Sequence, residues 1–169
     1  MLNLANFDEK SESLRLNTFY IMPLYEMNLK QYLSKLDGVR KIEKIIDVTN
    51  KLVTIFKYIH CAKRTFNDLK LENIMVNTNG DLAADPEVFL IDFGFAKKFL
   101  KKDGKNHIEE SKTLDVFTGN IHFASVRQMN FFATSRKDDL VSLFYLLIFM
   151  LNNQCLWVGP DDPMKTLNN

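Results

Sequence analysis

Two short loops carry residue types whose spacing suits the transfer of a phosphoryl group. The first runs Asn67-Asp68-Leu69-Lys70-Leu71-Glu72-Asn73 and the second is Asp92-Phe93-Gly94. That reaction needs a carboxylate to orient the attacking hydroxyl, a cation against the charge that develops, and hard oxygen ligands for magnesium. Asp68 supplies the carboxylate, Lys70 the cation, and Asn73 and Asp92 the oxygens. Either loop alone is an ordinary polar turn, so the weight falls on their occurring together and in this order.

Such residues act only if the chain brings them side by side. An apolar run, Ile74-Met75-Val76, follows the first loop, and another, Val88-Phe89-Leu90-Ile91, precedes the second, with the turn signal Asn79-Gly80 between them. This pattern predicts a hairpin with a wide loop, carrying one functional loop at each end. Upstream, Thr18-Phe19-Tyr20-Ile21-Met22 is β-branched and aromatic enough for a strand that Pro23 ends. Asn28 is a candidate cap for a short helix on Leu29, Tyr32, Leu33 and Leu36, which Gly38 closes. Ile42, Ile45, Ile46, Thr49, Leu52, Val53, Phe56 and Ile59 keep a helical period over a longer element. A basic, irregular stretch from Lys97 to Asn120 leads to an apolar helix from about Lys137 to Asn152, read as buried on nearly all sides. The fold class is therefore α+β, mainly α, with chemistry carried on loops.

The 169 residues fit about one domain. Lys and Arg number 22 against 21 Asp and Glu, a balance that gives no general reason to bind nucleic acid or an anionic membrane. The 12 apolar residues from Leu140 to Leu151 are too few for a membrane span, which needs about 20. Cys61 and Cys155 read as reduced thiols, and the acidic, polar opening is not a secretory signal, so the expected location is the cytoplasm, with the nucleus also open.

From about Thr18 to Gly159 the chain resembles the C-terminal lobe of the eukaryotic protein kinases, and is most similar to their casein-kinase-I branch. The closest stretches are Ile91-Asp-Phe-Gly-Phe-Ala-Lys-Lys98, Thr118-Gly-Asn-Ile-His-Phe-Ala-Ser125 and Ser135-Arg-Lys-Asp-Asp-Leu140. The resemblance implies ATP-dependent transfer of the γ-phosphate to serine or threonine of a protein substrate, with Asp68 and Lys70 catalytic and Asn73 and Asp92 holding Mg2+. It implies Met22 as gatekeeper, Leu24 and Tyr25 as hinge, Met75 under the adenine ring, and Asp139 as a brace on the catalytic-loop backbone. On this reading residues 1–17 are a polar lead-in, 18–159 a partial kinase domain, and 160–169 a truncated tail. The expected partners are a nucleotide and a protein substrate, without nucleic acid and without membrane insertion.

Departures from the family pattern bear on this reading. The H-R-D motif stands as Phe66-Asn67-Asp68, so Phe66 is expected to stack on Phe93, and loss of the arginine removes the usual partner of an activation-segment phosphate. Asn120 replaces a threonine and is placed to hydrogen-bond Asp68 or Lys70, while His122 stands where the branch has an arginine for an anionic substrate group. The 169 residues contain no G-x-G-x-x-G and no V-A-I-K-like strand before the catalytic loop. The expectation is therefore a catalytic-lobe piece lacking the N-lobe, binding magnesium ATP poorly by itself. The alternative is a catalytically weak pseudokinase serving as a binding or scaffolding module.

Overall fold

The structure, a computed structural model, describes residues 21–109 and 113–153. The lead-in, the tail, and Thr18, Phe19 and Tyr20 of the expected first strand lie outside the described residues. Ile21 and Met22 are not strand; they run as exposed coil, so this part of the expectation is corrected. The first paired strand is instead β1 (Met27–Asn28).

Asn28 then starts α1 (Leu29–Ser34) with a reciprocal capping box. Its side-chain oxygen accepts from the Gln31 N–H at 2.9 Å, and the Gln31 side chain accepts from the Asn28 N–H at 3.0 Å. Gly38 does not close this helix, which ends at Ser34; it opens α2 (Gly38–Cys61) at φ +50°, a conformation that costs glycine little.

On α2 the buried stripe is Ile45, Val48, Leu52 and Phe56. Ile42, Ile46 and Val53, also expected in the core, are about half exposed, because α2 carries a second apolar stripe that no described element covers. Lys44 is buried on the inner side, where its ammonium donates to the Ala84 carbonyl at 2.9 Å and pairs with Asp47 at 3.3 Å.

Two short strands follow the helix. β2 (Arg64–Thr65) pairs antiparallel with β5 (Lys97–Lys98), a pairing that the irregular texture after Lys97 conceals. A 3-10 turn (Leu71–Asn73) leads into β3 (Ile74–Asn77), which pairs antiparallel with β4 (Glu87–Leu90), Ile74 opposite Leu90 and Asn77 opposite Glu87. β1 joins the other edge of β3, so the sheet order is β1-β3-β4. The short α3 (Val126–Met129) precedes α4 (Arg136–Asn152), which packs on α2.

The core lies between α1, α2, α4 and the sheet, with Tyr32, Phe56, Phe66, Ile74 and Leu146 fully enclosed. α4 is less buried than expected. Leu143, Leu146 and Met150 face inward, whereas Leu140, Phe144 and Leu151 are about half exposed. The result is a mainly helical unit with two small antiparallel sheets, each flanking one side of the Phe66–Asn73 loop.

Candidate active site

Asp68 is buried, and its Oδ2 is held from two directions. Lys70 Nζ lies 3.0 Å away and Asn73 Nδ2 donates to it at 2.7 Å. Asn73 also donates to the Asp68 carbonyl at 3.0 Å, so one amide fixes both the backbone and the side chain of the acid. These bonds leave Asp68 Oδ1 without a partner among the described residues, while Oδ2 carries the restraint. Within the side-chain amide of Asn73 the nitrogen is spent on Asp68 and the oxygen stays available.

Asp92 reaches the same place through the backbone. The Ile91 N–H donates to the Asn73 carbonyl at 3.0 Å, which sets Asp92 immediately beside the catalytic loop. Asp92 itself has φ +61°, and its Oδ1 accepts from the Gly94 N–H at 3.2 Å. A carboxylate and an amide oxygen so placed are hard donors of the kind magnesium takes when phosphate oxygens and water complete its shell, so the residues present fit that ion.

The frame beneath the loop is built on Asp139, in the first turn of α4 and buried. Its carboxylate accepts from the Phe66 N–H at 3.0 and 3.1 Å and from the Asn67 N–H at 2.9 Å, as expected for a charge buried at the head of an apolar helix. His60 Nε2 stands 2.8 Å from the same carboxylate. His60 was not singled out by its sequence; its one clue is its place four residues after the buried Phe56, on the inner face of α2.

Phe66 is fully buried, and its ring meets Phe93 edge-on at 5.2 Å, the contact expected of an apolar residue there. Asn67 takes φ +69°, which asparagine tolerates better than most residues, and its amide donates to Thr65 Oγ1 at 3.1 Å and to the Phe95 carbonyl at 2.8 Å. Thus Asn67 ties the catalytic loop to the chain just after Asp92-Phe93-Gly94 without any charge.

A second tie crosses to the 118–128 segment. Gln128, buried, donates from Nε2 to the Asn67 carbonyl at 2.9 Å and to the Thr118 carbonyl at 2.6 Å. Gly119, at φ +109°, lies so close that a Cβ there would overlap the Asn67 carbonyl oxygen and the Gln128 amide. The expected bond from Asn120 to Asp68 or Lys70 is not made among the described residues; the Asn120 Oδ1 accepts from the His122 N–H at 2.8 Å. The tie from this segment to the catalytic loop is made instead by Gln128, to the Asn67 carbonyl and not to Asp68 or Lys70, and no spacing in the sequence singles Gln128 out.

The four residues assigned to adenine fall into two groups. Met75 on β3 stands opposite Phe89 on β4, and the Tyr25 ring packs on Phe89 at 5.1 Å, which makes an apolar corner beside the catalytic loop. Met22 and Leu24 do not join it; Leu24 is 97% exposed on an extended segment. Phe89 is a further candidate that the sequence placed in a strand without a role.

Residues 6–168 match the family model described as protein kinase domain. The chain is 32% identical over 143 residues to a probable casein kinase I homolog of Encephalitozoon cuniculi, covering 85% of this chain and 42% of that protein. It is 28% identical over 154 residues to a casein kinase 1-like protein of Oryza sativa, covering 90% of this chain and 22% of that one. Against casein kinase I homolog 2 of Saccharomyces cerevisiae it is 27% identical over 124 residues, 72% of this chain and 22% of the yeast protein. The chain thus spans less than half the length of these relatives. It belongs to the protein kinase superfamily and, within it, to the casein-kinase-I-like branch.

Proposed function

We propose that this chain carries the catalytic-loop lobe of a serine/threonine protein kinase, moving the γ-phosphoryl group of magnesium ATP to a protein hydroxyl. The observation behind this reading is the convergence of Asp68, Lys70 and Asn73 on one carboxylate oxygen, with Asp92 joined to them through the Ile91–Asn73 backbone bond. In this role the unrestrained Asp68 Oδ1 takes the proton of the acceptor hydroxyl, while Oδ2 keeps the carboxylate oriented. The Lys70 ammonium faces the equatorial oxygens of the moving group, where negative charge accumulates. Asn73 Oδ1 and the Asp92 carboxylate would hold Mg2+, which when bound neutralises charge on the β- and γ-phosphates. Tyr25, Met75 and Phe89 would receive the adenine, with Met22 and Leu24 able to approach only if the segment before β1 folds over it.

The test is transfer of labelled γ-phosphate to a serine- or threonine-bearing acceptor. Positioning can lower the barrier by about 7–11 kcal/mol, and these 169 residues include no glycine-rich clamp, so transfer by the chain alone is expected to be slow. Fusing a nucleotide-clamping lobe of the same branch before Thr18 should raise it. In that fusion Asp68→Asn should lower the rate by about 10²–10⁴-fold, the usual worth of a positioned general base. A rate unaffected by Asp68→Asn would overturn the reading.

A further inference from the structure

Just before β1, one exposed residue fastens the chain to the turn that follows β3. The Glu26 carboxylate accepts from the Thr78 N–H at 3.0 Å and the Thr78 hydroxyl at 2.9 Å through Oε2, and from the Asn79 N–H at 2.7 Å through Oε1. In return the Glu26 N–H donates to Asn77 Oδ1 at 2.9 Å. Thr78 is buried and its carbonyl accepts from the Asp81 N–H at 3.1 Å, so the carboxylate grips a point that is itself fixed. Residues 21–24, on the other side of Glu26, are exposed and make no hydrogen bond to other described residues. Tyr25 lies between that loose segment and the clamp, with its ring on Phe89 at 5.1 Å.

Resting on the adenine corner assigned to Tyr25, Met75 and Phe89, we propose that Glu26 is a positioning residue for the nucleotide. Its grip on Thr78 and Asn79 holds Tyr25 against Phe89 and so sets how tightly adenine binds, although Glu26 itself touches no substrate atom. Consecutive Cα atoms stand about 3.8 Å apart, so a fixed Glu26 leaves Tyr25 little room to swing. β1 alone gives a weak hold, since it contributes only Met27 opposite Val76 and Asn28 opposite Met75, far short of the usual strand of about five or six residues. The clamped turn also continues β3, which carries Met75, so one carboxylate ties both walls of the corner into a single piece. Without the clamp Tyr25 stands in place for only part of the time, and apparent affinity falls by that fraction; an occupancy of about one in ten gives a tenfold loss.

The first measurement is binding of adenosine to the full chain, followed by ligand-detected NMR. Adenosine carries the adenine without phosphates, so Asn73 and Asp92 add nothing to it. Glu26→Ala should weaken this binding about tenfold, and Glu26→Gln, which keeps one accepting oxygen, should fall between. Thr78→Val removes only the hydroxyl donor; it should cost about threefold by itself and nothing further beside Glu26→Ala, because its partner is then gone. The two milder variants keep the test readable if Glu26→Ala does not fold. With a nucleotide-clamping lobe fused before Thr18, Glu26→Ala should raise the KM for ATP about tenfold while kcat and the KM for an acceptor peptide stay within about twofold, the signature of binding lost equally from ground and transition states. Adenosine bound equally by native and variant chains, adenosine bound by neither, additive effects of the two substitutions, or a parallel loss in kcat and both KM values would overturn the role of Glu26. Failure of the transferase reading is separable: adenosine binding that depends on Glu26 in a chain that transfers no phosphate, fused or not, overturns that reading alone.

Discussion

Asp139 bears much of the structure beneath the catalytic loop, because three partners from two elements meet its carboxylate. Replacing it by alanine would strand the Phe66 and Asn67 N–H groups in an enclosed place. Such unsatisfied donors cost about 1–3 kcal/mol each. Asp139→Ala should therefore lower stability by at least about 2 kcal/mol, read as the shift in urea midpoint at constant slope; an unchanged midpoint would contradict the assignment. Glu26 offers a gentler test at the surface. Its carboxylate accepts from the Thr78 N–H and hydroxyl and the Asn79 N–H, and these bonds, the Thr78 N–H foremost, hold its carboxyl below the ordinary value. A depressed acid stabilises the fold above its unfolded value and loses that contribution as pH falls through the folded one. The gap in melting temperature between the native chain and Glu26→Gln should thus be widest near neutrality and close as pH drops below about 4.

Among the elements, the segment carrying Gly119 is fitted closely to the loop before Asp68. Gly119→Ala places a methyl group against a backbone carbonyl that cannot move without disturbing Asn67 and, behind it, Asp68. Backbone strain and overpacking together should cost about 2–4 kcal/mol, measurable by chemical denaturation, and in the fused enzyme should lower transfer as well. Little in the sequence announces this. What could be read there was local: the Asp68, Lys70 and Asn73 spacing, the Asn28 cap, the hydrophobic period of α2, and the apolar runs that became β3 and β4. Where sequence reasoning stopped, the cause is equally physical. His60, Gln128 and Glu26 act by reaching backbone or carboxylate groups that lie 50 or more residues away, and no local pattern encodes such a reach. The two stripes of α2 were merged because periodicity reports that a face is apolar and not which element covers it.

At the scale of the whole molecule, those uncovered faces set its solution behaviour. Val39, Ile42, Ile46 and Val53 on α2, with Leu140, Phe144 and Leu151 on α4, remain substantially exposed among the described residues. Apolar patches of this kind promote association, so the chain should scatter more light as its concentration rises, and Ile46→Lys with Phe144→Lys should suppress that rise while leaving helical circular dichroism intact. The span of the internal ties has another consequence, in time rather than in space. Asp139 holds the catalytic loop from 72 and 73 residues further along the chain. A ribosome adding about 5–20 residues per second makes Asp68 roughly 4–14 s before it makes Asp139. During synthesis the residues proposed for phosphoryl transfer therefore exist for seconds before this anchor does, and a nascent chain halted before Asp139 holds every one of them in a loop whose Phe66 and Asn67 N–H groups lack their carboxylate partner.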